Sequence, residues 1–136
     1  MAEPKNVVLG WRHDLVFEGG AAGKPSVVLD GAAAEGPSPM EALLLALAGC
    51  TGSDVVSILQ KKRADLRAFR VEVVGERRDE HPKRYTAITL RYHVSAPGLG
   101  ESQARRAIDL SLEKYCSVTH SLAQDIAVRY ELLLDA

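Results

Sequence analysis

An apolar run, Ala42 to Ala48, most constrains what this chain can fold into, because a helix-start signal precedes it and Cys50 follows it. Ser38 is a favoured helix N-cap, and Glu41 three positions later completes an S-x-x-E capping box, so a helix begins here. The run has no polar side chain, and a helix that is apolar all round belongs inside a protein or in an interface. The sequence therefore predicts a buried helix that carries Cys50 into the interior.

This helix is predicted to run from Pro39 to about Arg63, where a Lys-Lys-Arg sequence supplies the cations favoured at a helix C-terminus. Gly49 and Gly52 flank Cys50, and a glycine inside a helix costs about 1 kcal/mol relative to alanine. The two glycines predict either a close approach of another backbone or of a ligand to the sulfur, or a break in the helix.

Composition and charge exclude several classes of protein. The 136 residues fit one domain, 1–136, and 46% hydrophobic with 26% charged residues is typical of a globular protein. A net charge of -1 gives no electrostatic reason to expect nucleic acid or a membrane surface as a partner. The first five residues lack the features of a secretory signal, and the apolar run is too short to span a bilayer, so we expect a cytoplasmic protein.

Alternating apolar and polar residues predict strands on both sides of the helix. The predicted strands are Val7–Arg12, Leu15–Glu18 and Val27–Leu29, then a long antiparallel hairpin of Leu66–Arg77 and Tyr85–Ser95, and finally Ile126–Leu133. Helical spacing predicts a second helix at Glu101–Tyr115 and a short third helix from Val118 to about Gln124. Helices that come in blocks between antiparallel strands indicate an α+β fold rather than a parallel doubly wound sheet.

The two cysteines, Cys50 and Cys116, are far apart in the sequence and form no C-x-x-C motif. Two thiols alone cannot complete a tetrahedral zinc site, so no metal is expected. Both could simply be small buried hydrophobes, since free cysteine is among the most buried residue types. Asp54 lies four residues beyond Cys50 on the same helical face, where a buried carboxylate would raise the pKa of both groups.

Cys116 precedes the predicted third helix, and Ser117 is a suitable cap for that helix. The N–H groups at a helix start lower the pKa of a thiol and stabilise the thiolate. His120, one turn further along, would favour the thiolate as well. These features predict a reactive thiol at Cys116.

Two stretches of the sequence resemble the motifs of the OsmC/Ohr family of organic hydroperoxide reductases. The first, Pro37 to Cys50, is similar to the N-P-E-x-L motif with a cysteine further along the helix. The second, Tyr115 to Leu122, is similar to the C-P-V-S motif. The order of elements matches the family over essentially the whole chain, and S-P-M-E with G-C-T-G resembles its YhfA-like branch in particular.

The resemblance implies an OsmC-like α+β fold, with antiparallel sheets packed on a long central buried helix and a second helix. It also implies an intertwined homodimer in which the two central helices are buried together. Carried over by position, Cys50 would be the peroxidatic thiolate that attacks an organic hydroperoxide and becomes sulfenic acid. Cys116 would resolve it as an intramolecular disulfide, which an external dithiol reduces, and no cofactor is needed.

The chain departs from the family pattern at the residues that activate the thiolate. In the family a glutamate follows the proline of the first motif, whereas here Met40 takes that position and Glu41 comes one residue late. One residue is about 100° of helix rotation, so Glu41 points elsewhere and serves the capping box. No arginine aligns with the family's arginine, and Arg12 is the nearest candidate to replace it.

Two functions therefore remain open, besides the alternative that both cysteines are inert. The first is a cysteine-based peroxidase that reduces organic hydroperoxides in oxidative-stress defence, with Cys50 and Cys116 catalytic and Arg12, Glu41 and His120 as candidates for tuning the thiolate. The second is a redox-responsive or small-molecule-binding protein that keeps the fold but lacks efficient turnover, because the family's glutamate and arginine are not in register.

Overall fold

The structure is a computed structural model that describes residues 2–135. These residues form two compact units, which meet in the chain between Leu43 and Leu44. The combination of helices with two separate three-stranded sheets confirms the predicted α+β class. The single domain of 1–136 stays a prediction.

The first unit contains a sheet of three antiparallel strands, β1 (Val8–His13), β2 (Val16–Gly20) and β3 (Val27–Asp30), as the sequence predicts. Asp30 ends this sheet and is only 2% exposed. Its carboxylate accepts the backbone N–H groups of Ala32, Ala34 and Glu35 at 2.8, 3.2 and 2.9 Å. The side chain thereby holds the loop that leads into the first helix.

The long helix α1 (Pro39–Lys61) begins at the predicted capping box. The backbone N–H of Ser38 donates to Glu41 Oε1 (2.9 Å), and the N–H of Glu41 donates to Ser38 Oγ (3.1 Å). The helix is continuous, so the alternative of a break between the two glycines is wrong. A Cβ on Gly52 would lie 3.3 Å from the ring of Phe69 on the next strand. The close approach of this strand explains why a glycine occupies the position.

Within one chain α1 is buried on one side only, rather than all round. Leu47, Val55 and Leu59 are fully buried, whereas Leu45 is 61% exposed. By length and composition alone this 23-residue helix, which contains an 18-residue window with a mean hydropathy of 1.8, could cross a membrane, although core helices of water-soluble proteins pass the same test. The absence of a membrane partner stays a prediction, and the apolar face of α1 needs an explanation.

The second unit contains a sheet with the strand order β4 (Ala68–Arg77), β5 (Tyr85–Ser95), β6 (Ala127–Asp135). The β4–β5 hairpin is antiparallel, as predicted. The pairing of β5 with β6 differs from the antiparallel sheet that the resemblance implies, because these two strands are parallel. The connection between them passes through helices, and such a crossover returns the chain in the same direction.

The crossover consists of α2 (Glu101–Leu110), a π-helical turn (Ser111–Tyr115) and α3 (Ser117–Ser121). The sequence predicts one α-helix up to Tyr115, but its last turn widens into this π-helical turn. The backbone N–H of Cys116 donates to the carbonyl of Ser111 at 2.7 Å, five residues back rather than four. The turn therefore fixes the backbone of Cys116 relative to Ser111.

Candidate functional site

The second unit contains Cys50 and Cys116, which are free thiols and interact with each other. Cys50 lies on α1 and is partly exposed, whereas Cys116 is 0% exposed at the start of α3. Burial raises the pKa of the Cys116 thiol, and the neighbouring Cys50 thiol raises it further, while the hydrogen bond from the backbone N–H of Thr119 lowers it. The predicted cysteine pair is thus a pair of neighbours, with one accessible member and one buried member.

Cys116 differs from the sequence prediction in two respects. Cys116 itself, rather than Ser117, is the N-cap of α3, and its Sγ accepts the backbone N–H of Thr119 at 3.5 Å. The predicted lowering of its pKa is wrong, because loss of water around the sulfur outweighs the donors at the helix start. Cys116 is therefore a thiol held in place by its neighbours rather than an activated thiolate.

His120 lies on α3 one turn after Cys116, as predicted, but its Nε2 is occupied. This nitrogen donates to the backbone carbonyl of Leu112 at 3.1 Å, because a carbonyl oxygen only accepts. The ring thus helps to hold the π-helical turn before Cys116. A direct effect of His120 on the thiolate stays a prediction.

Glu41 and Arg12 both belong to the first unit, and each has a local partner. Glu41 completes the capping box with Ser38, as described above. Arg12 forms an exposed ion pair with Glu18, with 3.0 Å between the guanidinium and the carboxylate. Their proposed tuning of the thiolate stays a prediction.

Sequence reasoning missed a buried chain of hydroxyl groups beside the two cysteines. Thr51 Oγ1 lies 2.7 Å from Tyr92 Oη and 2.8 Å from Ser111 Oγ, and Ser111 Oγ donates to Asp54 Oδ2 at 2.9 Å. We call these four residues the hydroxyl chain. Its available sequence signal was the presence of Thr51 and Asp54 on a helix otherwise rich in apolar residues, next to Cys50. Asp54 thus has its hydrogen-bond partner on the crossover.

The direction of donation along the hydroxyl chain follows from its end. The Asp54 carboxylate only accepts, so Ser111 uses its single hydroxyl proton there and accepts from Thr51. Thr51 in turn accepts from Tyr92. Burial raises the pKa of Tyr92 far above its usual range, so the phenol keeps the proton that it donates.

The arrangement is suited to two-electron thiol chemistry. Two neighbouring thiols can be oxidised to a disulfide, and the accessible one can meet an oxidant first. Within residues 2–135 no group of three or more His, Cys, Asp and Glu side chains is placed to hold a metal ion. The residues that the structure brings together are therefore the cysteine pair and the hydroxyl chain.

Comparison with known proteins agrees with this fold and motif pattern. The family model described as OsmC-like protein matches residues 31–131. Protein YhfA of Escherichia coli strain K12 is 42% identical over 126 residues, which cover 90% of this chain and 94% of YhfA.

Solved structures share the fold at lower sequence identity. An OsmC like protein from Mycoplasma pneumoniae has a TM-score of 0.86 and 18% identity, with all of both chains covered. The organic hydroperoxide resistance protein OhrB of Bacillus subtilis has a TM-score of 0.62 and 16% identity, over 96% of this chain and 98% of OhrB. These two similarities concern the fold, whereas the family match and YhfA concern the sequence as well. The chain therefore belongs to the OsmC/Ohr family of OsmC-like proteins.

Proposed function

We propose that this protein is a cysteine-based peroxidase that reduces organic hydroperoxides and contributes to oxidative-stress defence. The observation that carries the proposal is the pairing of a partly exposed Cys50 with a neighbouring, fully buried Cys116, both as free thiols. Membership of a family that includes a named organic hydroperoxide resistance protein supports the choice of oxidant. The proposal keeps the cytoplasmic location expected from the sequence.

The first step oxidises Cys50. Its thiolate attacks the terminal oxygen of the hydroperoxide, the O–O bond breaks, and the sulfur becomes sulfenic acid. The departing alkoxide takes up the proton that the thiol lost, so an alcohol leaves. Cys50 has this role because it is the cysteine with access to solvent, whereas Cys116 is fully buried.

The second step closes a disulfide. Cys116 attacks the sulfur of oxidised Cys50, the S–O bond breaks, and hydroxide leaves as water with the proton of Cys116. An external dithiol then reduces the disulfide by two exchanges and is itself oxidised to a disulfide. One hydroperoxide is thus reduced for each dithiol consumed, without a cofactor.

The proposal includes a homodimer whose protomers cover each other's exposed face of α1. A groove of about 680 Å³ runs between α1 and β4, and its lining includes Leu45, Gly49, Val56 and Phe69. A second copy supplies a matching apolar helix and would remove this surface from water. Light scattering of the purified protein should give twice the mass of the chain, and a monomer at micromolar concentration would contradict this part of the proposal.

A titration tests the peroxidase proposal. Reduced protein is mixed with increasing amounts of cumene hydroperoxide, and thiol loss and alcohol formation are measured. We expect one alcohol for every two thiols lost in the wild type, and no rapid reaction in Cys50→Ser. Cys116→Ser should react once and accumulate sulfenic acid. Alcohol formation in Cys50→Ser at the wild-type rate would contradict the role of Cys50.

The second candidate is a redox-responsive or small-molecule-binding protein without efficient turnover. The observation that favours it is the engagement of Arg12 with Glu18 and of Glu41 with Ser38, since these are the nearest substitutes for the family's activating pair. In that case one equivalent of hydroperoxide would oxidise the pair slowly. Excess dihydrolipoamide or dithiothreitol would then give no repeated turnover, whereas the peroxidase proposal requires many turnovers per protein.

A further inference from the structure

We propose that Thr51 and Ser111 are positioning residues that hold Cys50 and Cys116 at the spacing needed for disulfide closure. This proposal rests on the proposed function, because it assigns a role in the second step of that reaction. It also identifies what decides the fate of the sulfenic acid. Fast closure leads to turnover, whereas slow closure leaves the sulfenic acid open to further oxidation.

Two hydrogen bonds join the cysteine-bearing segments, and both involve Ser111, which accepts from Thr51 and donates to Asp54 on α1. Thr51 directly follows Cys50 on α1, and its Oγ1 lies 2.8 Å from Ser111 Oγ. The carbonyl of the same Ser111 accepts the backbone N–H of Cys116 at 2.7 Å. Loss of the Thr51–Ser111 contact therefore removes one of the two hydrogen bonds that hold the Cys116 backbone in place relative to Cys50.

The contact is fixed at both ends. Tyr92 on β5 donates to Thr51 from one side, and Asp54 accepts from Ser111 on the other. Thr51, Tyr92 and Ser111 are each 0% exposed, so water does not compete for these hydrogen bonds. Ser111 also begins the π-helical turn, a rare geometry that is frequent at functional sites.

The reaction makes the spacing important. A disulfide requires Cα atoms roughly 4.4–6.8 Å apart, and a displacement of about 1 Å can slow a reaction about a hundredfold. If closure is slow, the sulfenic acid meets a second hydroperoxide and attacks its terminal oxygen. A second S–O bond then forms, the O–O bond breaks, another alcohol leaves, and the sulfinic acid of Cys50 cannot be resolved by Cys116.

Thr51→Val tests the proposal, because valine keeps the shape of threonine and lacks the hydroxyl. Sulfenic acid formation is followed with a dimedone probe, disulfide closure by loss of free thiols, and sulfinic acid by mass spectrometry. We expect closure to slow about tenfold or more relative to sulfenic acid formation. Sulfinic acid at Cys50 should rise with cumene hydroperoxide concentration, and Thr51→Ser, which restores the hydroxyl, should recover rapid closure.

The matched control is Tyr130→Phe, which removes a tyrosine-to-carboxylate bond of 2.9 Å to Asp109 on the same crossover. That bond is comparable in length but does not join the cysteine-bearing segments, so closure should keep its wild-type rate. Equal closure in folded Thr51→Val and wild type would overturn the proposal. Equal rates of disulfide closure in Thr51→Ser and Thr51→Val would overturn it as well, because only the serine variant keeps a hydroxyl. If Thr51→Val does not fold, Ser111→Ala takes its place with the same expectation.

Failure of the proposed function is distinguishable from failure of this proposal. If the wild type does not react with hydroperoxides, the thiol oxidant diamide still closes the disulfide and allows the closure rates to be compared. Slower diamide-driven closure in Thr51→Val than in wild type and Thr51→Ser would support the positioning role independently of peroxide. Identical diamide rates would overturn it.

Discussion

The stability of the hydroxyl chain provides the sharpest test of the structure. Thr51→Val removes the acceptor of the Tyr92 hydroxyl and the donor to Ser111, and all three side chains are 0% exposed. A buried polar group that loses its partner costs about 1–3 kcal/mol. The Tyr92 hydroxyl is then left without its acceptor and Ser111 Oγ without its donor, although valine recovers some apolar contact. We therefore expect the free energy of unfolding to fall by about 2–4 kcal/mol. That is a large part of the about 5–15 kcal/mol typical of a domain.

A double-mutant cycle with Tyr92→Phe separates this hydrogen bond from other effects. Tyr92→Phe alone leaves Thr51 with one unused acceptor site and should cost about 1–2 kcal/mol. In the double variant both hydroxyl groups of the Thr51–Tyr92 contact are absent, so neither is left unpaired. Its loss of unfolding free energy should therefore be smaller than the sum of the two single losses by about 1–2 kcal/mol.

The assay is urea unfolding with dithiothreitol present, so that both cysteines stay reduced and the transition can be treated as two-state. The slope of free energy against urea should be the same in all four proteins, because the surface exposed on unfolding does not change. Additive losses to within about 0.5 kcal/mol would refute the contact between Thr51 and Tyr92.

Three further predictions concern other parts of the chain. Gly75→Ala should lower the free energy of unfolding by about 1–3 kcal/mol in thermal melts, because its Cβ would overlap the Tyr85 ring, and an unchanged melting temperature would contradict that contact. The added methyl group of Gly49→Ala meets no described atom within 4 Å and should favour the helix by about 1 kcal/mol. The same variant should weaken the proposed dimer in sedimentation equilibrium, and undiminished association would argue against close helix packing at Gly49. Backbone N–H groups, that of Glu35 first, lower the pKa of Asp30 below its ordinary 3.8, so its stabilising contribution is complete above that pH and is lost as the pH falls through the lower folded pKa. Acid unfolding curves should show this contribution missing in Asp30→Asn, and identical curves would contradict it.

The sequence could predict the elements whose signals are local. The start of α1 depends on Ser38 and Glu41, which lie three residues apart and need no tertiary context. The β4–β5 hairpin follows from strict alternation, and the strand predicted at Tyr85–Ser95 is observed with those bounds. The parallel pairing of β6 could not be predicted from its pattern, because alternation shows which face is buried but not the direction of the neighbouring strand.

The candidate site was less accessible to sequence reasoning. The proximity of Cys50 and Cys116 was implied by the family resemblance and not by their spacing. The hydroxyl chain was missed because its partners are distant in the sequence, with Tyr92 lying 41 positions and Ser111 60 positions after Thr51. Local propensity also misjudged Cys116, since a helix start favours a thiolate only where burial does not cost more.

The raised pKa of Cys116 is compatible with the proposed division of labour between the two thiols. In the proposed reaction the sulfenic acid of Cys50 is an electrophile beside Cys116, so closure would depend on placement more than on a large thiolate fraction. A buried neutral thiol also reacts poorly with peroxide, which directs the oxidant to Cys50. Burial therefore disfavours Cys116 as the first target while leaving it available as the second reactant. The two proposals together thus expect the contacts of Thr51 and Ser111 to matter more to the reaction than activation of Cys116.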